Sequence, residues 1–462
     1  MEQNLHFIGV GGIGMSAIAM IMLGMGFSVS GSDVKAGRTT QALLEQGADV
    51  RIGHDAANIP DNAQAVVYSS AVKDDNVELI EAKRRGLPVY KRAEMLAYLM
   101  STKISVGVAG AHGKTTTSGM IGTMLQFCGM DPTIIIGGML PAIGGGNAKA
   151  GSGDYLVAEA DESDGTFLLL HPTVAVVTNI DSDHLDHYQN LDNIKAAFGQ
   201  YLRQLPAGGL AVINKGCPIL RELMEQIPAH YVTYALDEAD QADYWAENIG
   251  HDAGGGACAD VYYHGECLGR LSLHIPGRHN ISNALAAIAF GRHIGLSFSQ
   301  CVAGLSHFTG TGRRFELLGE VDGVQVIDDY AHHPAEVAAT IKAARDVVKG
   351  RLVAVFQPHR YTRTQSLYPA FAQAICAADL AVVSEIYPAF EPPIPGVSAR
   401  LIVDEARKMG HNNICYASDM DEALSCLLQE VRPGDLLLIM GAGNIRSVGE
   451  EYLKQKRGIS GE

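Results

Sequence analysis

Short apolar runs recur along the chain, and most of them end in glycine or acidic residues rather than in further apolar sequence. Leu5-His6-Phe7-Ile8-Gly9-Val10-Gly11 reads as a strand feeding a Met/Ala/Ile-rich helix from about Met15, with further strands at Phe27–Gly31 and Val66–Ser70. A second segment opens at Lys103–Gly110 and continues through strands at Tyr155–Ala160, Val174–Thr178 and Gly209–Ile213. A third opens near Gly323–Ile327 and runs through Leu352–Phe356, Leu380–Ser384 and Leu436–Met440, with helical stretches between. Strand–helix alternation predicts parallel sheets covered by helices. The expectation is therefore an α/β chain of three domains, bounded near Thr102 and Thr309: 1–102, 103–309 and 310–462. Asp237–Arg270 is rich in Gly, Asp and Tyr without a helical period, and reads as short antiparallel strands or loop inserted in the middle segment. No internal repeat is evident.

Length and composition agree with this division. At roughly 150 residues per domain, 462 residues make about three. A hydrophobic share of 47% against 19% charged is enough to bury several cores. The balance of 35 Lys+Arg against 51 Asp+Glu, formally −16, disfavours nucleic acid as a partner, because such binding relies on cationic surface. An anionic substrate must instead be held by local basic clusters or by metal. The first basic residue is Lys35 and the apolar stretch Met15–Phe27 is broken by Gly24 and Gly26, so neither a secretory signal nor membrane insertion is expected. Eight dispersed cysteines, with no CxxC, argue against structural zinc and read as reduced core thiols of a cytoplasmic protein.

Two glycine loops carry the chemistry. Gly9-Val10-Gly11-Gly12-Ile13-Gly14 fits G-x-G-x-x-G between strand and helix, and Asp33 ends the next strand. Such glycines let backbone approach a diphosphate on a helix N-terminus, and the acidic residue can take a ribose hydroxyl. Taken alone, this segment suggests NAD. Gly110-Ala111-His112-Gly113-Lys114-Thr115-Thr116-Thr117 resembles a P-loop, although Val108 stands where the strict pattern has glycine. Backbone amides near Gly113 can meet phosphate oxygens, Lys114 can reach the β/γ-phosphates, and Thr115 offers a hydroxyl to Mg²⁺. Two acidic runs, Glu159–Asp164 and Asn179–Asp186, follow strands of the same segment. Parallel strands deliver their ends to one edge, so these runs are expected beside Lys114 as Mg²⁺ ligands. Asn283, in Pro276–Asn283 ahead of an alanine-rich helix, suits either helix capping or an adenine edge. Arg313-Arg314 and Asp328–Pro334 follow, and then Gln357–Thr364, where Arg360 and Arg363 suit an anionic reactant.

In this order the motifs Gly9–Gly14, Gly110–Thr116, Glu159–Asp164, Asn179–Asp186, Gly277–Asn283, Arg313–Glu316, Asp328–Pro334 and His359–Thr364 resemble the Mur ligases over essentially the whole chain. The resemblance implies a Rossmann-like N-terminal domain, a P-loop-type central ATPase domain and a Rossmann-like C-terminal domain for the amino acid. It implies the member that joins L-alanine to the lactyl carboxylate of UDP-N-acetylmuramate at the expense of ATP, a step of peptidoglycan precursor synthesis. On that basis Gly9, Gly11, Gly12, Gly14 and Asp33 hold UDP rather than NAD, with His54, Ser69 and Ser70 near the nucleotide. Gly110, Ala111, His112, Gly113, Lys114, Thr115 and Thr116 take the ATP phosphates, with Thr115 and Glu159 on one Mg²⁺ and His184 near a second. Asn283 meets the adenine, Asp329 the ribose, and Arg314 the phosphates. Tyr330, His332, His359, Arg360 and Arg363 line the pocket for alanine and the acyl group. Lys114, His184, Arg314 and His332 are the expected catalytic groups, with His184 or His332 taking the proton of the amine. Several siblings carry a carbamylated lysine about fifteen residues after the corresponding histidine. Here that stretch reads Ala197-Phe198-Gly199-Gln200, the nearest lysine is Lys195, and no carbamylation is expected. A monomer or weak homodimer is expected. The alternatives are a family member that attaches an intact tripeptide, an NAD-dependent oxidoreductase supported only by Gly9–Gly14 and Asp33, or a non-catalytic nucleotide switch.

Overall fold

A computed structural model describes residues 4–69, 71–389 and 391–459. Three sheets account for the strands. The first contains β1 (Asn4–Ile8), β2 (Ser28–Asp33), β3 (Asp49–Ile52), β4 (Ala65–Tyr68) and β5 (Val89–Lys91), all parallel, in the order β3-β2-β1-β4-β5. That order reverses direction beside β1, where doubly wound sheets open a ligand crevice at their strand C-termini. The loop Gly9–Gly12 and the helix Ile13–Gly24 leave β1 at this position.

The second sheet contains β6 (Ile104–Ala109), β7 (Thr133–Leu140), β8 (Gly146–Lys149), β9 (Tyr155–Glu159), β10 (Val174–Val177), β11 (Leu210–Asn214), β12 (His230–Tyr234), β13 (Tyr244–His251), β14 (Ala257–Tyr263) and β15 (Glu266–Ser272). Its order is β15-β14-β13-β12-β11-β10-β6-β9-β7-β8. β6 lies between β10 and β9 and is parallel to both, so Gly110, Ala160 and Thr178 leave the sheet on one edge. The third sheet contains β16 (Glu316–Val321), β17 (Val324–Asp329), β18 (Leu352–Phe356), β19 (Leu380–Ser384), β20 (Ile414–Ala417) and β21 (Leu436–Met440), in the order β16-β17-β21-β18-β19-β20. Only β16 runs antiparallel to its neighbour in that sheet.

By compactness the described chain forms two units. One holds the chain up to Ile249 with Ala259–Ser272 and Ile281–Thr309; the other holds Gly250–Cys258, Leu273–Asn280 and the chain from Gly310. In the first unit one buried cluster runs from Phe7 and Met22 to Phe167, Phe198 and Tyr201, joining the first two sheets through a shared core. Asn147 also donates to the Ile13 carbonyl at 2.6 Å, tying β8 to the first turn of the helix that follows the glycine loop. In the second unit the two faces of one sheet bury separate clusters, Ile327 and Phe356 on one side and Val326 and Val355 on the other, as alternation along a strand requires.

The fully apolar strands fall within a residue or two of their expected bounds. The structure adds β3, β5, β7, β8, β12, β16 and β20. Asp237–Arg270 contributes β13, β14 and most of β15, which extend the edge of the second sheet. Among the described residues, no helix is long and apolar enough to cross a membrane.

Candidate active site

The first glycine loop is braced by backbone and carboxylate. The N–H groups of Gly9 and Val10 donate to the Ser32 carbonyl at 2.8 and 2.9 Å, and Gly11 N–H donates to Asp33 Oδ2 at 2.8 Å. A side chain at Gly11 would place its Cβ 2.8 Å from that same oxygen, so glycine is required by close approach. Asp33, expected at a ribose, thus also shapes the loop. His54 sits beside it, two residues past β3, and its Nδ1 lies 3.0 Å from Glu78 Oε1 and 3.1 Å from Ser32 Oγ. Glu78 is fully buried and also accepts from His6 Nε2 at 2.7 Å, Ser32 Oγ at 2.8 Å, Asn58 Nδ2 at 3.1 Å and the Asp55 N–H at 3.2 Å. Burial alone would raise its pKa. The hydrogen bonds from His6, Ser32, Asn58 and His54 override that and bring it down to about 2. Ser69 packs 3.2 Å from where a Cβ at Gly9 would stand, and Ser70 lies outside the described residues.

The second glycine loop follows β6. Gly110 and Gly113 both have positive φ, +133° and +86°, and a Cβ on either would collide with a polar neighbour, Thr178 Oγ1 at 2.1 Å or Asn283 Oδ1 at 2.8 Å. Asn179 shapes the loop: its side-chain oxygen accepts from His112 N–H at 2.9 Å and its backbone carbonyl from Ala111 N–H at 3.1 Å. Lys114 opens the helix Lys114–Phe127, and Thr115 and Thr116 follow it into the buried first turn. Lys114 Nζ donates to the Gly110 carbonyl at 2.7 Å and to both Glu162 oxygens at 2.9 Å. Against the cost of burial, the charges of Glu162, Asp161 and Glu159 raise the lysine's pKa and keep the ammonium charged. Thr115 Oγ1 donates to Glu159 Oε2 at 3.1 Å, and the Gly137 N–H donates to Glu159 Oε1 at 2.6 Å. Burial raises the pKa of Glu159 even so. Burial works the same way on Asp161, but Lys114, the Ser163 N–H and His184 outweigh it and hold that carboxyl low. His184, left-handed at φ 54°, brings Nε2 to 3.7 Å from Glu162 and 3.6 Å from Asp183. The first acidic run therefore gathers at Lys114, and the second run approaches it through His184, which lies beside Glu162. Lys195 pairs with Glu222.

A cavity of about 330 Å³ in this unit is lined by Gly12, Gly14, Ser69, Arg92, Glu159 and Asp161, among others. It joins the first glycine loop to the acidic end of β9. Arg92, which lines this cavity, is one of the residues that sequence reasoning missed. Its guanidinium lies 3.4 Å from where a Cβ at Gly14 would stand, over the first turn of the helix Ile13–Gly24. It is half-buried and forms no hydrogen bond or ion pair among the described residues. Only its charge registers in the protein, helping to hold Asp161 ionised. Lys91-Arg92 lies in an ordinary helix-start sequence, and no motif marks it.

In the second unit, residues from three strand ends converge. The ring of His332 lies edge-on to Tyr330 (centroids 5.3 Å apart) and to His359 (5.6 Å), and His359 stacks on Tyr387 at 5.8 Å. Arg363 Nη1 is 3.5 Å from His359 Nδ1, and Arg360 N–H donates to the Tyr387 carbonyl at 2.9 Å. Arg314 lies over the Tyr330 ring at 5.4 Å and 4.0 Å from Glu336. Tyr387 thus packs with residues expected to line the amino-acid pocket. Asp329 is buried, and its oxygens accept from the N–H groups of Phe315 and Ala331, both at 2.8 Å. Burial pushes its pKa up to about 6 despite Arg314 and those donors. It organises the turns carrying Arg314 and Tyr330.

Comparison with known proteins agrees with this geometry. Residues 4–104 match the family model described as Mur ligase family, catalytic domain; residues 108–291 match the Mur ligase middle domain; residues 313–443 match the Mur ligase glutamate ligase domain. The UDP-N-acetylmuramate–L-alanine ligase of Pelotomaculum thermopropionicum is 51% identical over 454 residues, covering 98% of both chains. The ligase of the same name from Desulforamulus reducens is 47% identical, again over 98% of each. Among solved structures, UDP-N-acetylmuramate-alanine ligase from Thermotoga maritima superposes with a TM-score of 0.84 at 29% identity, covering 98% of this chain and 99% of that one. With these matches spanning the glycine loops, the acidic strand ends and the histidine–arginine cluster, the chain belongs to the Mur ligase family.

Proposed function

We propose that this protein ligates L-alanine to the lactyl carboxylate of UDP-N-acetylmuramate, converting ATP to ADP and phosphate, in cytoplasmic peptidoglycan precursor synthesis. The observation that carries this reading is the cavity shared by the sugar-nucleotide loop, Arg92 and the carboxylates beside Lys114. An acid tethered through its diphosphate to Gly9–Gly14 would reach the phosphoryl donor across this one cleft. In this reading residues 1–102 bind UDP, 103–309 bind ATP and 310–462 bind the amino acid.

The oxygen set around Glu159 fits Mg²⁺. Thr115 and Glu159 are hard ligands, and Glu159 is a desolvated carboxylate that a cation would compensate. Thr115 and Glu159 would hold one ion and His184 would lie near a second. Bound there, Mg²⁺ would screen charge on the phosphates. Lys114, already ionised and anchored on Glu162, supplies the fixed positive charge for the γ-phosphoryl group. Glu162 orients both Lys114 and His184, so it acts as a positioning residue.

A carboxylate is a poor acyl donor. One carboxylate oxygen attacks the γ-phosphorus, the bond to the β–γ bridging oxygen breaks, and an acyl phosphate forms with ADP as leaving group. The neutral amine of alanine then adds to the acyl carbon. Collapse of the tetrahedral intermediate expels phosphate, and the amine's proton passes to a histidine, His184 or His332. Tyr330, His332, His359, Arg360 and Arg363 receive alanine, with the guanidinium groups suited to its carboxylate.

The test is phosphate release with ATP, Mg²⁺ and UDP-N-acetylmuramate while the amine is varied among L-alanine, L-serine, glycine and a tripeptide. The reading requires strong stimulation by L-alanine and little by the tripeptide. Preference for the tripeptide, or release that ignores the amine, would overturn it.

A further inference from the structure

The eight cysteines are dispersed in sequence, and all are free thiols in the fold. Two of them nevertheless meet. Cys415, in the edge strand β20, and Cys426, in the helix Met420–Glu430, bring their sulfurs to 3.5 Å. Both are partly exposed, so a small oxidant can reach them. Neither residue belongs to the ligation machinery, and nothing in the proposed reaction uses them.

We propose that Cys415 and Cys426 are an oxidative modification site, a dithiol that a peroxide closes into a reversible intramolecular disulfide. A disulfide bond is about 2.05 Å long, so closure asks for roughly 1.5 Å of travel, which side-chain rotation and a small helix shift can supply. The environment also differentiates the two sulfurs. The contact between the two thiols lowers the pKa of Cys415 against burial and the Glu430 charge, with help from Arg407, while the same contact and burial raise that of Cys426. Cys415 is therefore the nucleophile. Its thiolate attacks one oxygen of hydrogen peroxide, the O–O bond breaks, and hydroxide leaves, giving a sulfenic acid. The Cys426 sulfur attacks the Cys415 sulfur, its proton goes to the departing oxygen, and water leaves as the S–S bond forms. Two electrons pass from the two sulfurs to the peroxide. Elsewhere burial raises the pKa of Cys128, Cys301 and Cys376, with Cys128 raising Cys301 further, and Cys267 stands exposed. Cytoplasmic disulfides of this kind are transient and redox-sensing rather than structural.

The test treats the full-length reduced protein with one equivalent of hydrogen peroxide near neutral pH. The expected product has lost about 2 Da, the two thiol hydrogens, with Cys415 and Cys426 cross-linked in its peptide map, and dithiothreitol restores the original mass. Under the same treatment Cys426→Ser yields no cross-link, and its Cys415 becomes labelled by dimedone. If that variant misfolds, the wild-type peptide map decides alone. Retention of both thiols in alkylatable form while Cys267 is oxidised would overturn the proposal. So would direct passage of Cys415 to the sulfinic acid.

Discussion

Replacing Glu78 with glutamine tests how the nucleotide site is held together. An ordinary glutamate titrates near 4.5, whereas Glu78, buried against the central strand β1 and the end of β2, is brought to about 2 by His6, Ser32, Asn58 and His54 acting against burial. A carboxylate whose folded pKa is depressed this far contributes about 3 kcal/mol of stability above pH 5. Because the shift is downward, that contribution is present above the unfolded value and is lost as pH falls towards 2, roughly a quarter of it by pH 4. The Glu78→Gln variant would keep the shape but remove the charge, and would turn an amide NH₂ towards histidine N–H donors. The first sheet should therefore lose about 3 kcal/mol at pH 7, and the gap to wild type should narrow by nearly 1 kcal/mol at pH 4. The assay is urea unfolding at each pH followed by a deuterium pulse at fixed pH, read on peptides of β1–β5. Those peptides report the unit concerned, in a chain too large for a single two-state transition. The KM for UDP-N-acetylmuramate should rise as His54 loses its anchor, with the KM for ATP unchanged. A gap below 1 kcal/mol at pH 7, or one equal at both pH values, would refute the reasoning.

Two further variants probe the ligation site. Lys114→Ala should reduce ATP turnover at least ~10³-fold, since it removes a preorganised charge at the phosphoryl group and leaves buried Glu162 without its partner, while UDP binding by titration calorimetry stays intact. Arg92→Met should raise the KM for UDP-N-acetylmuramate by about 10-fold or more, the loss of one charge-assisted contact, with the KM for ATP and L-alanine within twofold of wild type. An unchanged KM for the sugar nucleotide would remove Arg92 from the site.

What the sequence disclosed follows from where its signals are local. The strands Asn4–Ile8, Ile104–Ala109 and Leu352–Phe356 are apolar through most of their buried lengths and are followed by glycine or by polar strand-end residues, so composition alone marked them. Asp49–Ile52 and Val89–Lys91 are short and partly exposed, and their strand character comes from pairing with neighbours rather than from pattern. The same contrast holds in the sites. Glycine loops announce themselves because positive φ and close approach demand glycine at fixed offsets, and Lys114 and Thr115 come with them. Glu162 was visible only as one of four carboxylates, and its pairing with Lys114 needed the turn after β9 to be built. Arg92, Tyr387 and Glu78 act through residues distant in sequence, on which no spacing rule bears. Cys415 and Cys426, eleven positions apart, looked as scattered as the rest.

The central claim is that ATP activates the sugar-linked carboxylate before alanine attacks. It is tested most directly with UDP-N-acetylmuramate carrying ¹⁸O in its lactyl carboxylate, turned over with ATP and L-alanine. The account predicts that the released inorganic phosphate carries one ¹⁸O atom from that carboxylate. Phosphate free of the label, alongside normal amide formation, would contradict it.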